Sequence, residues 1–259
     1  MIALPRPFGP LHARIDGPED GLPVVFANSL GTDLRLWDRV MPLLPPHLRL
    51  IRYDKRGHGL SATGGGERLE DHVEDAIAIL ETFARGPAIF VGLSIGGLIA
   101  QAVALRRPDL VRALVLSNTA ARLGTPEGWS ARIAAIEAGG LGSVADAVME
   151  RWFAPAFRAT PDCALWRAML IRTSPDGYVA ACRALAAADL TAASAALRLP
   201  TLVIAGSEDG ASPPAVVRAT ADLIPGAVFH EIPGAGHLPC VETPAAWTAL
   251  VAPFLTERA

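Results

Sequence analysis

Three residues in this chain have the types and spacing for acyl transfer: Ser94, Asp209 and His237. Ser94 lies in Gly92-Leu93-Ser94-Ile95-Gly96-Gly97, between an apolar strand-like run (88–91) and a helix-like one (98–105). A strand-to-helix turn this tight leaves no room for flanking side chains, so glycine is needed there. The turn lifts the hydroxyl clear of a sheet and sets it at a helix N-terminus, where backbone N–H groups stabilise negative charge. A serine hydroxyl also needs a base, usually a histidine steadied by a carboxylate. Of six histidines, His237 is the best placed, in Pro233-Gly234-Ala235-Gly236-His237 just after the last strand-like run. His58, in Tyr53-Asp54-Lys55-Arg56-Gly57-His58-Gly59, is the rival, because that loop also leaves a strand end. His230 falls inside a strand, His72 on a helix-like stretch, and His12 and His47 come before the sheet is established.

The acid should leave an earlier strand end. Ile204-Ala205-Gly206-Ser207-Glu208-Asp209 offers two carboxylates, and Asp209 is preferred over Glu208 from its place in the loop. The preceding strand end, Leu116-Ser117-Asn118-Thr119, holds none. An oxyanion hole needs two N–H donors. One is expected from Ile95, directly after the serine. The other belongs to Asn28-Ser29-Leu30-Gly31-Thr32, with Leu30 the first choice and Ser29 the second.

The elements that must hold these residues read as an α/β fold, a mostly parallel sheet flanked by helices. Strands are predicted at 24–27, 48–53, 88–91, 113–117, 201–205 and 228–232, most of them continuously apolar, as strands buried on both faces must be. Helical periodicity runs through 69–83 and 213–224, and an edge hairpin is predicted within 8–15. No strand is legible for more than eighty residues after Ser117. A structureless loop of that length is improbable, so residues 120–195 read as a helical cap inserted into a core formed by 1–119 and 196–259.

Bulk properties narrow the function. Hydrophobic residues make up 51% of the chain, and the net charge of −3 comes with no basic run, so neither nucleic-acid nor polybasic membrane binding is expected. No stretch approaches the ~18 uninterrupted apolar residues of a membrane span. The start lacks a basic and apolar leader pattern, and three scattered cysteines (Cys163, Cys182, Cys240) have no metal-ligand spacing. A reduced, cytoplasmic protein with no metal and no cofactor is the expectation. Nothing in the chain specifies an oligomeric state.

The order Ser94, Asp209, His237 is that of the α/β-hydrolases, which the whole chain resembles. More narrowly, it is similar to the 3-oxoadipate enol-lactonases. That resemblance rests on Asn28–Leu34 with Trp37, on Tyr53–Gly59, on Gly92–Gly97, and on Ser117–Glu127 with Trp129. Asn28-Ser29 stands where many α/β-hydrolases have His-Gly, and Ile95 where the narrower family often has Met. The resemblance implies a small anionic lactone as substrate, opened through an acyl-enzyme in the protocatechuate branch of aromatic breakdown, without a cofactor. It also implies a donor for the substrate's carboxylate. Arg122 at the cap entrance is the nearest candidate by sequence, with Trp129, Trp152 and Tyr178 as pocket walls and Ser29 beside them. Another capped hydrolase, acting on carboxylic esters or on C–C bonds, and a non-catalytic ligand receptor are the competing readings.

Overall fold

Runs such as Leu22–Ala27 and Ala88–Leu93 are rich in β-branched and large apolar side chains with no polar alternation, so they become strands covered on both faces. The computed structural model describes residues 1–257; Arg258 and Ala259, the end of the expected core segment 196–259, lie outside the described residues. The strands are β1 (Ile2–Leu4), β2 (Leu11–Asp16), β3 (Leu22–Ala27), β4 (Leu48–Tyr53), β5 (Ala88–Leu93), β6 (Val111–Ser117), β7 (Thr201–Gly206) and β8 (Val228–Ile232). They form one sheet in the order β1-β2-β4-β3-β5-β6-β7-β8. The pairs from β4 to β8 are parallel, and at one edge β2 pairs antiparallel with both β4 and β1.

That edge differs from the sequence reading. The hairpin forms between Ile2–Leu4 and Leu11–Asp16, not within 8–15. Pro5, Pro7 and Pro10 have no N–H to give a ladder, and Gly9 takes a positive φ of 119°, so this stretch turns instead of pairing. The core strands β3, β4, β5 and β7 are buried almost end to end.

Helices α1 (Leu69–Phe83) and α2 (Ile95–Arg106) follow β4 and β5. Between β6 and β7 every element is helical: α3 (Pro126–Gly139), α4 (Ala145–Trp152), α5 (Pro155–Arg158), α6 (Asp162–Ile171), α7 (Pro175–Ala187) and α8 (Thr191–Ser194). Thr125 and Ser174 cap α3 and α7 by accepting from the Gly128 and Gly177 N–H groups, and each helix has proline in its first turn. Then come α9 (Pro214–Leu223), α10 (Pro239–Glu242) and α11 (Pro244–Thr256). The helical segment packs on the loops at the C-terminal ends of the strands. A Cβ on Gly57, after β4, would lie 2.4 Å from the Gly177 Cα, so the two backbones touch there. Among the described residues, no helix is long and apolar enough to cross a membrane.

Candidate active site

Ser94 is held where β5 turns into α2, with φ 59° and ψ −122°. A non-glycine residue there stores on the order of 1–3 kcal/mol of strain, which the surrounding packing must offset. The glycines make the turn feasible. A Cβ on Gly96 would come within 2.1 Å of the Ala27 carbonyl, and one on Gly92 within 2.3 Å of the Gly96 carbonyl. The Ser94 N–H donates to the Ser117 carbonyl at 3.1 Å, and its own carbonyl accepts from the Thr119 hydroxyl at 2.6 Å. Its hydroxyl opens into a cavity of about 540 Å³ shared with His237, Ser29 and Leu30.

His237 follows β8, and Asp209 follows β7. Gly206, the last residue of β7, lets those loops meet, since a Cβ there would collide with the Gly236 carbonyl at 2.1 Å. Asp209 Oδ2 lies 2.9 Å from His237 Nδ1, with both side chains almost fully buried. Glu208 is exposed, so of the two carboxylates after β7 only Asp209 reaches the imidazole. The carboxylate has further donors: the Ala211 and Ser212 N–H groups, the Ser212 hydroxyl at 2.7 Å and the Asn118 amide at 2.9 Å. Burial opposes its charge. The His237 ring and these hydrogen bonds outweigh that and hold its carboxyl below the usual range.

The other imidazole nitrogen, Nε2, faces the cavity side, 3.4 Å from the Ser29 hydroxyl. Among the described residues, none hydrogen-bonds the Ser94 hydroxyl, so Ser94 and His237 share the cavity without a hydrogen bond between them. Catalytic hydrogen bonds of this kind often tighten only when substrate is bound. Leu30 lies in the loop after β3, and Ile95 opens α2. Neither N–H is spent on another backbone acceptor among the described residues, which leaves both available to a developing oxyanion.

Other sequence-predicted residues are sorted by the same cavity. Trp129, Trp152 and Tyr178 line it, and the Trp129 indole is pinned to the Leu123 carbonyl at 2.7 Å. Arg122 does not line it. That side chain is about half exposed and pairs with Asp189 at 3.5 Å. His58 is buried outside the cavity, bonded to the Arg56 carbonyl and stacked on Tyr178 at 6.4 Å.

Several residues at the site carried no sequence signal of their own. Arg132 of α3 and Arg151 of α4 line the cavity, and neither has a carboxylate partner among the described residues. Arg132 also lies 5.1 Å over the Trp129 ring. Asn118, at a positive φ of 49°, is held by a relay in which the Trp247 indole donates to the Ser117 hydroxyl and that hydroxyl to the Asn118 amide oxygen. Glu242 accepts from the N–H groups of Gly236 and Ala154 at 2.8 and 2.9 Å, joining the His237 loop to the helical segment. Burial pushes its carboxyl up to about 7, against those two bonds.

Comparison with known proteins gives a consistent picture. The chain is 37% identical over 201 residues to 3-oxoadipate enol-lactonase 1 of Acinetobacter baylyi, covering 77% of this chain and 76% of that protein. It is 33% identical over 241 residues to 3-oxoadipate enol-lactonase 2 of the same organism, covering 91% and 89%. The crystal structure of the enol-lactonase from Burkholderia xenovorans LB400 superposes with a TM-score of 0.92 at 38% identity, over 95% of this chain and 96% of that one. Residues 24–250 match the model of the alpha/beta hydrolase family, and with the parallel sheet and the turn at Ser94 already described, the chain belongs to that family.

Proposed function

We propose that this protein is a serine hydrolase that opens a small anionic lactone, 3-oxoadipate enol-lactone, to 3-oxoadipate. The observation that carries the reading is the buried Asp209–His237 pair, whose Nε2 side, in contact with the Ser29 hydroxyl, borders the cavity that also receives Ser94. His237 takes the Ser94 proton as the hydroxyl oxygen attacks the lactone carbonyl, and Asp209 stabilises the imidazolium. The tetrahedral oxyanion is received by the N–H groups of Leu30 and Ile95. The ring C–O bond then breaks, and the imidazolium returns its proton to the leaving enol oxygen. That oxygen stays on the same molecule, so no separate leaving-group channel is needed. The enol ketonises, and water activated by His237 hydrolyses the acyl-serine ester.

The anionic arm of the substrate needs a partner once it is out of water. Arg132 and Arg151 supply unpaired positive charge at the cavity wall, and Trp129, Trp152 and Tyr178 supply its apolar surface. Arg122, turned to solvent and paired with Asp189, fits this role less well. The choice of lactone is supported by the likeness to the two Acinetobacter 3-oxoadipate enol-lactonases and to the Burkholderia enol-lactonase. A place in cytoplasmic protocatechuate breakdown, with no cofactor, is part of the same proposal.

The test is a continuous assay on the enol-lactone beside p-nitrophenyl esters, with Ser94→Ala as control. Fast enol-lactone turnover lost in the variant is the expected result. Good ester turnover with the enol-lactone ignored would remove the lactonase reading and leave the esterase. A folded wild-type protein that binds but turns over neither would favour a ligand receptor.

A further inference from the structure

Lys55 is the single lysine among the 23 lysines and arginines of this chain. Histidines apart, every other basic side chain is therefore a guanidinium, which stays protonated at all ordinary pH. Lys55 follows β4 and is about 1% exposed. Its ammonium donates to the Ser29 carbonyl at 2.8 Å and makes no ion pair among the described residues. Asp33 is engaged by Arg35, and Asp54 by His12 and by the N–H groups of Leu34 and Leu60.

The acceptor is informative. The Ser29 carbonyl and the Leu30 N–H belong to one peptide unit, whose electrons are delocalised from nitrogen to oxygen. Positive charge at the oxygen draws density away from the nitrogen and makes the N–H a stronger donor. The Thr32 hydroxyl and N–H also donate to that carbonyl, at 2.9 and 3.3 Å, which fixes the peptide's orientation.

We propose that Lys55 is a positioning residue for the oxyanion hole, its ammonium polarising the Ser29–Leu30 peptide so that the Leu30 N–H binds the tetrahedral oxyanion more strongly. This rests on the hydrolase reading above. The device is titratable, because burial pushes the ammonium down to about 7, against the pull of Asp54 and Asp33. The other titratable groups facing it are His58, on its own turn, and His72, from α1. Burial and, next, the Lys55 charge push both rings down, so they stay neutral while Lys55 is charged. The sign follows. Turnover needs neutral His237 and charged Lys55, so Lys55 sets an alkaline limb on kcat.

One lysine gives one side-chain signal, so NMR of the wild-type protein labelled at lysine Nζ reads this titration directly. The kcat for p-nitrophenyl acetate, a neutral probe, is measured across the same pH range. The expected result is a fall in kcat on the alkaline side with the midpoint of the lysine signal. Lys55→Met is expected to lower kcat about ten- to a hundredfold, part of the ~10²–10³ that a whole oxyanion donor contributes. Its KM stays within about threefold, and its alkaline limb is gone. The proposal is overturned if wild-type kcat passes the lysine midpoint unchanged, a comparison that stands even if Lys55→Met fails to fold. A folded Lys55→Met with wild-type kcat and pH profile overturns it too, while the hydrolase reading survives if Ser94→Ala is dead. Full turnover by Ser94→Ala would sink both.

Discussion

The Asp209 carboxylate is the most heavily supported polar group at the site, and its partners explain why a buried charge is tolerable there. His237, Asn118, Ser212 and two backbone N–H groups surround it, so nearly every lone pair has a donor. Asp209→Asn keeps the shape but loses the acceptor that selects the Nδ1–H tautomer of His237. We expect kcat to fall by about 10⁴-fold with the fold intact, measured by ester turnover and circular dichroism. Retention of more than a tenth of the activity would remove Asp209 from the reaction. At this scale the sequence was readable wherever chemistry sits in one short run. The Ser94 turn, the Asp209 loop and the His237 loop each announce themselves through glycine next to a strand. Asn118 shows the limit. Its segment was set aside for lacking a carboxylate, yet its amide secures the carboxylate that arrives from the next strand. A role defined by a contact 91 positions away leaves no local pattern.

Among the elements, the loop that carries His237 is tied to a helical segment far from it in sequence. The His237 N–H donates to the Trp152 carbonyl at 2.8 Å, and Glu242 bridges Gly236 and Ala154. Glu242→Gln replaces one acceptor oxygen with an amide that opposes an N–H. The protonated acid opposes that N–H in the same way, so the variant mimics the neutral carboxyl and its thermal stability relative to wild type should depend on pH. The folded carboxyl is raised from 4.5 to about 7, so it holds its proton more tightly than the unfolded chain does. Its contribution is complete below 4.5 and fades as pH rises through about 7. Part of the wild-type decline in Tm across that window should therefore be missing from the variant, as scanning calorimetry would show. Identical slopes would mean that Glu242 titrates normally. The sheet elements were legible because continuous apolar runs have few other fates. The edge hairpin was placed too late, since β1 has only three residues and the signal around Gly9-Pro10 marks its turn.

For the molecule as a whole, charge and cavity combine into a preference. The net charge is −3, yet the cavity wall carries Arg132 and Arg151 without carboxylate partners among the described residues. An anion reaching the cavity meets a local field opposite in sign to that of the whole protein. Arg132→Ala should raise KM for the anionic enol-lactone about ten- to a hundredfold, the range of a charge-assisted hydrogen bond. KM for a neutral aryl ester should barely change. Steady-state kinetics on both substrates at low and high salt would check this, and equal effects on the two would show that Arg132 only packs the wall. Sequence reasoning placed the cation at Arg122, beside the cap entrance. Helix α3 turns a different arginine inward, and which face of an Ala-rich helix meets a cavity is set by tertiary packing rather than by its weakly patterned sequence.

The bonds from Trp152 to His237 and from Ala154 to Glu242 bear on how such a molecule could be remodelled. The helical segment leaves the sheet after β6 and returns at its neighbour β7, which invites its exchange as a unit. Yet it supplies part of the socket for His237. A transplanted segment would need to bring its own carbonyl and N–H to those two places, or the recipient would inherit a new binding site and a wandering histidine. The residues 152–154 are therefore the adapter to keep when the rest is exchanged.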